Sequence, residues 1–302
     1  MPKHAFHPDL RRARILPRSV PVGLGRRITG LMAPRAPRGG ELVRIDADVA
    51  VRVFRPPNAV GPAPAVLWIH GGGYVLGSAM QSDDWCREVT SRLGAITAAV
   101  EYRLAPKHAF PVPLEDCYTA LQWLAADPDV DGSRIAIGGE SAGGGLAAAL
   151  ALLAKERRTI RPVLQVLSYP MLDDRTAQRT DIDPASLRMW NQKSNRWAWN
   201  AYLGIHAAAP PPLAAPARYE DFTGVAPAWL GVGTNDLFYD EDLAYAERLR
   251  HSGVPCELKV VPGAYHGFDV VERHALVSRA YQGSQMSALE RALGARRSEG
   301  RH

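Results

Sequence analysis

The stretch IAIGGESAGGGLAAAL, Ile135 to Leu150, changes character twice in sixteen residues. An apolar run of strand type comes first, then glycines around one serine, then small and apolar residues that favour a helix. Glycine stands two places to either side of Ser141, at Gly139 and Gly143. A sharp strand-to-helix turn requires that spacing, because side chains there would collide across the turn, and it leaves the serine hydroxyl clear above the sheet. A glycine-rich turn whose serine caps the helix is the plainer alternative. The strand directly before and the helix directly after favour a nucleophile elbow.

Working outward, short Val- and Ile-rich runs are expected strands at Val49 to Phe54, Ala65 to Ile69, Ala95 to Val100, Arg134 to Gly138, Val163 to Leu167, Trp229 to Val232 and Glu257 to Val261. Helical periodicity marks Leu114 to Ala126, Ala142 to Glu156, Glu241 to His251 and a closing stretch from about Asp269 to Leu293. Strand alternating with helix implies an α/β fold with a mainly parallel sheet covered on both faces. From about Leu172 to Phe222 the alternation stops. That region carries Trp190, Trp197, Trp199 and Tyr202, then three prolines at 210 to 212, and reads as an inserted helical subdomain.

With 302 residues, 46% of them hydrophobic, the chain can bury one large core. Its long apolar run, Gly145 to Ala154, falls short of the roughly 18 residues a membrane span needs. The net charge of +5 is uneven: residues 1–40 hold nine Lys or Arg against Asp9 alone, so the remainder is mildly acidic. That basic flank has no interleaved aromatics and no nucleic-acid motif, which excludes nucleic acid as the expected partner. Three cysteines in no paired or metal-binding pattern suit a reducing, cytoplasmic setting and no metal site. No targeting signal is read, and the sequence leaves monomer and homodimer open.

An alcohol is a poor nucleophile at neutral pH and needs a base that is itself held by an acid. Both stand downstream of Ser141. WLGVGTNDLFYDED (Trp229 to Asp242) ends a strand and puts Asp236 on the loop beyond it, and KVVPGAYHGFDV (Lys259 to Val270) does the same for His266. Each follows the carboxyl end of a strand, the rim where open α/β sheets hold their sites. Asp240, Glu241 and Asp242 open the next helix, where its amino-terminal dipole gives them structural roles. Upstream, WIHGGGYVLGS (Trp68 to Ser78) sets a strand against a loop stripped of side chains. Bare amides at Gly71 and Gly72, with that of Ala142, can meet the negative charge that grows on an ester carbonyl oxygen under attack. His70 reads as structural. Tyr74, Trp190, Trp197 and Trp199 are candidates to line a substrate pocket, and aromatics in a helical insertion serve equally as its core.

Taken in order, HGGGYVLGS, EYRLAPKHAFPVPLEDC (Glu101 to Cys117), GESAGGGLA, GTNDLFYDED and YHGF resemble the hormone-sensitive-lipase-like family of α/β-hydrolase carboxylesterases. The resemblance runs from about Val49 to the C-terminal helix. It implies an α/β-hydrolase fold whose core, residues 41–171 and 223–302, holds a mainly parallel eight-stranded sheet, under a helical cap built from residues 1–40 and 172–222. It implies, further, no cofactor, and hydrolysis of short-acyl esters with water through an acyl-enzyme on Ser141. Glu140 stands where the family often has Asp, Leu237 where it often has Pro, Asp83 where His is frequent and Lys107 where Glu is. An amidase or deacetylase acting on a small natural product would share the triad, whereas noncatalytic binding proteins of this type have lost the histidine that His266 supplies.

Overall fold

Parallel and antiparallel pairing divide a single sheet of eight strands, which the computed structural model builds within its described residues, 5–19, 39–57 and 61–294. The strands are β1 Glu41–Arg44, β2 Ala50–Phe54, β3 Ala63–Ile69, β4 Ile96–Glu101, β5 Val130–Glu140, β6 Leu164–Ser168, β7 Ala228–Asn235 and β8 Cys256–Tyr265, in the order β1-β2-β4-β3-β5-β6-β7-β8. β2 runs antiparallel to both neighbours and every other pair is parallel. All seven expected strands are present, and β1 is the addition. β3 is buried at every position, as its unbroken apolar sequence requires of a strand covered on both faces.

The helices are α1 Asp83–Leu93, α2 Val112–Ala126, α3 Ala142–Arg157, α4 Gln192–Leu203, α5 Tyr239–His251, α6 Phe268–Val271 and α7 Leu276–Leu293. The closing helix expected from about Asp269 is thus two helices with a break at residues 272–275. α3 is buried on every side from Ala142 to Ala154, which matches its lack of a polar face. It stops at Arg158, left-handed at φ 55°, with Lys155 and Arg157 in the last turn where the helix dipole favours cations. Arg52 on β2, 2% exposed, is gripped by both oxygens of Asp83 at 2.7 and 2.6 Å, so Asp83 ties the start of α1 to the sheet.

Between β6 and β7 the chain holds one full helix, α4, with short 3-10 turns at Asp174–Gln178, Gly204–His206 and Pro216–Arg218. The insertion is therefore more loop than helix. Residues 5–19 reach it: the Met189 amide donates to the Pro17 carbonyl at 3.0 Å and Arg188 Nε to that of Ala13 at 2.6 Å. The rest of the basic flank, residues 1–4 and 20–38, lies outside the described residues. No helix among the described residues is long and apolar enough to cross a membrane.

Candidate active site

Register decides which loops meet. β7 and β8 pair Asn235 with Tyr265, so the next residue of each, Asp236 and His266, leave the sheet side by side. β3 and β5 pair Ile69 with Gly139, which sets the loop from His70 to Gly73 beside Ser141.

The three polar side chains form one relay. His266 Nε2 lies 2.9 Å from Ser141 Oγ, and His266 Nδ1 lies 2.8 Å from Asp236 Oδ2. With Asp236 ionised, Nδ1 carries the proton and donates it to the carboxylate, leaving Nε2 free to accept from the serine hydroxyl. Asp236 is fixed in turn by the Phe238 amide, which donates to Oδ1 at 3.0 Å. Tyr169 and Phe238 pack edge-on against the imidazole, with ring centroids 5.0 and 5.2 Å away, and set its plane. Ser141, Asp236 and His266 are 7, 5 and 8% exposed, so the relay is largely withdrawn from water.

The serine sits at φ 55° and ψ −121°, a conformation that non-glycine residues adopt only under constraint. A Cβ at Gly143 would overlap the carbonyls of Ile69 and His70, and one at Gly139 would overlap the carbonyl of Gly143. Those two glycines let the elbow press against the end of β3.

On the neighbouring loop His70 is buried and stacked on Tyr102, with ring centroids 4.3 Å apart, and its Nδ1 lies 2.7 Å from the Gly71 carbonyl oxygen. Burial holds its pKa down at about 4, so the ring is neutral and braces the loop. Gly72 and Gly73 take φ values of 121° and 61°, open to glycine and strained for other residues. The Gly71 amide acts on the Glu140 carboxyl group, favouring its ionised form. Burial, and to a lesser degree the nearby Asp269 carboxylate, push the Glu140 pKa up to about 7, against the opposing pull of the Gly71 amide. Amides of Gly72 and Gly73 donate to no group among the described residues.

Of the four aromatics expected near substrate, the structure brings one to the triad. Trp190 lies with its ring centroid 6.5 Å from that of His266, and its far edge fills the place a Gly73 side chain would take. Tyr74 and Trp199 are each 1% exposed, and Tyr74 stacks on Tyr202 while its hydroxyl donates to the Met171 carbonyl at 2.9 Å. Both belong to the core. Trp197 is 42% exposed on the surface. Among the acids that open α5, Asp240 pairs with Arg179 at 2.6 Å, and Glu241 Oε1 accepts the amides of Leu172 and Asp173 at 2.7 and 3.1 Å. Glu241 thereby pins the first residues of the insertion, a use that its position in the sequence does not reveal. Among the described residues no three His, Cys, Asp or Glu side chains are grouped to hold a metal ion.

Residues 66–270 match the family model of the alpha/beta hydrolase fold. An ethyl acetate hydrolase of Pseudomonas putida is 34% identical over 225 residues, covering 72% of this chain and 70% of that protein. The carboxylesterase NlhH of Mycobacterium tuberculosis is 34% identical over 256 residues, covering 82% and 80%. Among solved structures, a bacterial heroin esterase superposes with a TM-score of 0.85 at 36% identity, covering 97% of this chain and 99% of that one. Matched over most of its length, and carrying the family's motifs on loops that meet at one point, the chain belongs to the hormone-sensitive-lipase-like α/β-hydrolase carboxylesterases.

Proposed function

We propose that this carboxylesterase cleaves short-acyl esters through an acyl-enzyme on Ser141. The relay from Ser141 through His266 to Asp236 carries the reading. His266 takes the hydroxyl proton as the serine oxygen attacks the carbonyl, and Asp236 orients the imidazole and stabilises its cation. The same proton then goes to the departing alcohol. Water, activated by His266, releases the acid and restores the serine. The oxyanion is met by the amides of Gly72, Gly73 and Ala142. Gly73 stands here beside Gly72, where the sequence suggested Gly71, because the amides of Gly72 and Gly73 donate to no other group among the described residues, whereas that of Gly71 acts on Glu140. Loss of one such donor typically costs roughly 100- to 1,000-fold in turnover.

Trp190 bounds the acyl side, and residues 5–19 with the insertion form the cover over it. Cys86, Cys117 and Cys256 are unpaired, which supports a reducing, cytoplasmic setting. A series of p-nitrophenyl esters from acetyl to dodecanoyl tests the reading, with matching anilides beside them. Turnover confined to short esters, and lost in Ser141→Ala, is expected. Cleavage of the anilides at comparable rates would replace the esterase by an amidase.

A further inference from the structure

α4 begins with a pairing that stability alone does not explain. Its N-cap is Asn191, whose side chain accepts the Ser194 amide at 3.0 Å, so Trp190 stands just outside the helix and Asn195 one turn inside it. Side chains at those two places commonly pack as an apolar pair that fixes how the chain enters the helix. Here the inner one is an amide. Asn195 is 0% exposed, and its Oδ1 accepts the Trp190 indole N–H at 3.3 Å. An indole nitrogen only donates, which fixes the orientation of the carboxamide and turns Nδ2 away from the ring. That Nδ2 has no partner among the described residues. A buried donor left unsatisfied lowers stability, whereas a leucine in its place would complete the apolar pair.

What the amide supplies instead is direction. Trp190 follows Met189, which is left-handed at φ 68° and whose amide donates to the Pro17 carbonyl at 3.0 Å; the Trp190 amide donates to the carbonyl of Arg188 at 2.8 Å. The main chain is thus strained and tied at the point from which the ring departs. Bonded to Asn195 through Nε1, the indole lays Cζ2 and Cη2 of its six-membered ring over Gly73, and the Ala198 methyl group, three residues beyond Asn195, reaches the same point. The ring centroid is then 6.5 Å from that of His266.

We propose that Asn195 is a positioning residue that sets the acyl-length limit of the enzyme. The inference rests on the reading above that Trp190 bounds the acyl side. An indole without its acceptor can turn about its two side-chain bonds. Held by Asn195, it stays across the space over Gly73 and beside the imidazole, where a long acyl chain meets its edge. Asn195 acts on the substrate only through Trp190.

The test reads the ratio of kcat/KM for p-nitrophenyl octanoate to that for the butyrate, from which any general loss of activity cancels. Asn195→Leu is expected to raise it about fivefold or more, with a melting temperature within about 3 °C of the wild type. A merely structural role would do the reverse, lowering the melting temperature and leaving the ratio alone. Asn195→Asp keeps the acceptor oxygen and should stay within about twofold of the wild-type ratio. Added to Trp190→Leu, Asn195→Leu should change the ratio no further, since the ring it directs is gone. Where Asn195→Leu alone does not fold, its combination with Trp190→Phe, an apolar pair throughout, should fold and show the ratio of Trp190→Phe alone. An unchanged ratio in folded Asn195→Leu, the same rise in folded Asn195→Asp, or a further rise on top of either Trp190 variant overturns the role of Asn195 and leaves the esterase reading intact. An unchanged ratio in Trp190→Leu as well overturns the acyl-side reading with it. No turnover of either ester by the wild type overturns the hydrolase reading itself.

Discussion

The main-chain amide of Ser141 donates to the carbonyl oxygen of Ser168 at 2.9 Å, so the nucleophile is suspended from the end of β6. Its own carbonyl accepts the amides of Gly145 and Met171 at 3.0 and 2.9 Å. A residue in so sparsely populated a conformation costs about 1 to 3 kcal/mol, and these three bonds help to hold it there. The reactive geometry is thus a property of β6, the loop that follows it and α3 as much as of the turn itself.

Gly143→Ala should break that arrangement, because its Cβ would meet the main-chain carbonyls of Ile69 and His70, which cannot rotate away. The expected loss is about 3 kcal/mol of stability or failure to fold, measured by urea unfolding. A variant within about 0.5 kcal/mol of the wild type would show that the elbow has slack the structure does not contain.

Glu140 is the residue whose ionisation should mark the pH profile. Its raised pKa of about 7 means that its negative charge beside His266 is gained only as pH rises through neutrality. Glu140→Gln keeps an acceptor for the Gly71 amide and removes that charge, which disfavours a protonated imidazole. The acid limb of kcat/KM for a neutral ester should move to lower pH, by about half a unit. An unmoved limb would show that Glu140 exerts no hold on the triad.

Asp242 should limit stability at alkaline pH. It is fully buried, neither carboxyl oxygen has a partner, and burial pushes its pKa well above the ordinary carboxylate value. A group whose pKa is raised on folding contributes fully below its unfolded value of about 4, and each further pH unit up to the folded value removes about 1.4 kcal/mol. Asp242→Asn does not titrate. Its gain over the wild type should therefore grow from pH 5 to pH 8, as read by thermal melts at each pH. A constant difference would mean that Asp242 ionises alike in the folded and unfolded chain.

Trp190→Leu should widen the acyl range, since the indole occupies the space over Gly73 beside the imidazole. The octanoyl-to-butyryl ratio of kcat/KM is expected to rise about tenfold. An unchanged ratio would place the acyl chain elsewhere.

What the sequence disclosed follows from how local each signal is. Glycine at two places on either side of Ser141, and an acid and a histidine just past strand ends, are short-range patterns, and register then brings their bearers together. α1 escaped because only Cys86, Val89, Thr90 and Leu93 are buried along it, a single narrow stripe among polar residues. β1 is four residues at the edge of the sheet with none fully buried, too short and too exposed for alternation to show. Three consecutive glycines look identical in sequence, and that the amides of Gly72 and Gly73 donate to no group among the described residues shows only in the structure. In the same way, indole and phenol rings reveal size but not direction, so Tyr74 and Trp199 turn inward, Trp197 outward, and only Trp190 reaches the imidazole.

A fluorophosphonate reacts only with a serine whose hydroxyl is activated, so labelling followed by mass spectrometry asks directly whether the relay works. One adduct per chain is expected, on the peptide carrying Ser141, absent in Ser141→Ala and slowed about 1,000-fold or more in His266→Ala. An adduct on a different residue, or an undiminished rate in His266→Ala, would mean that the nucleophile is not Ser141 driven by His266.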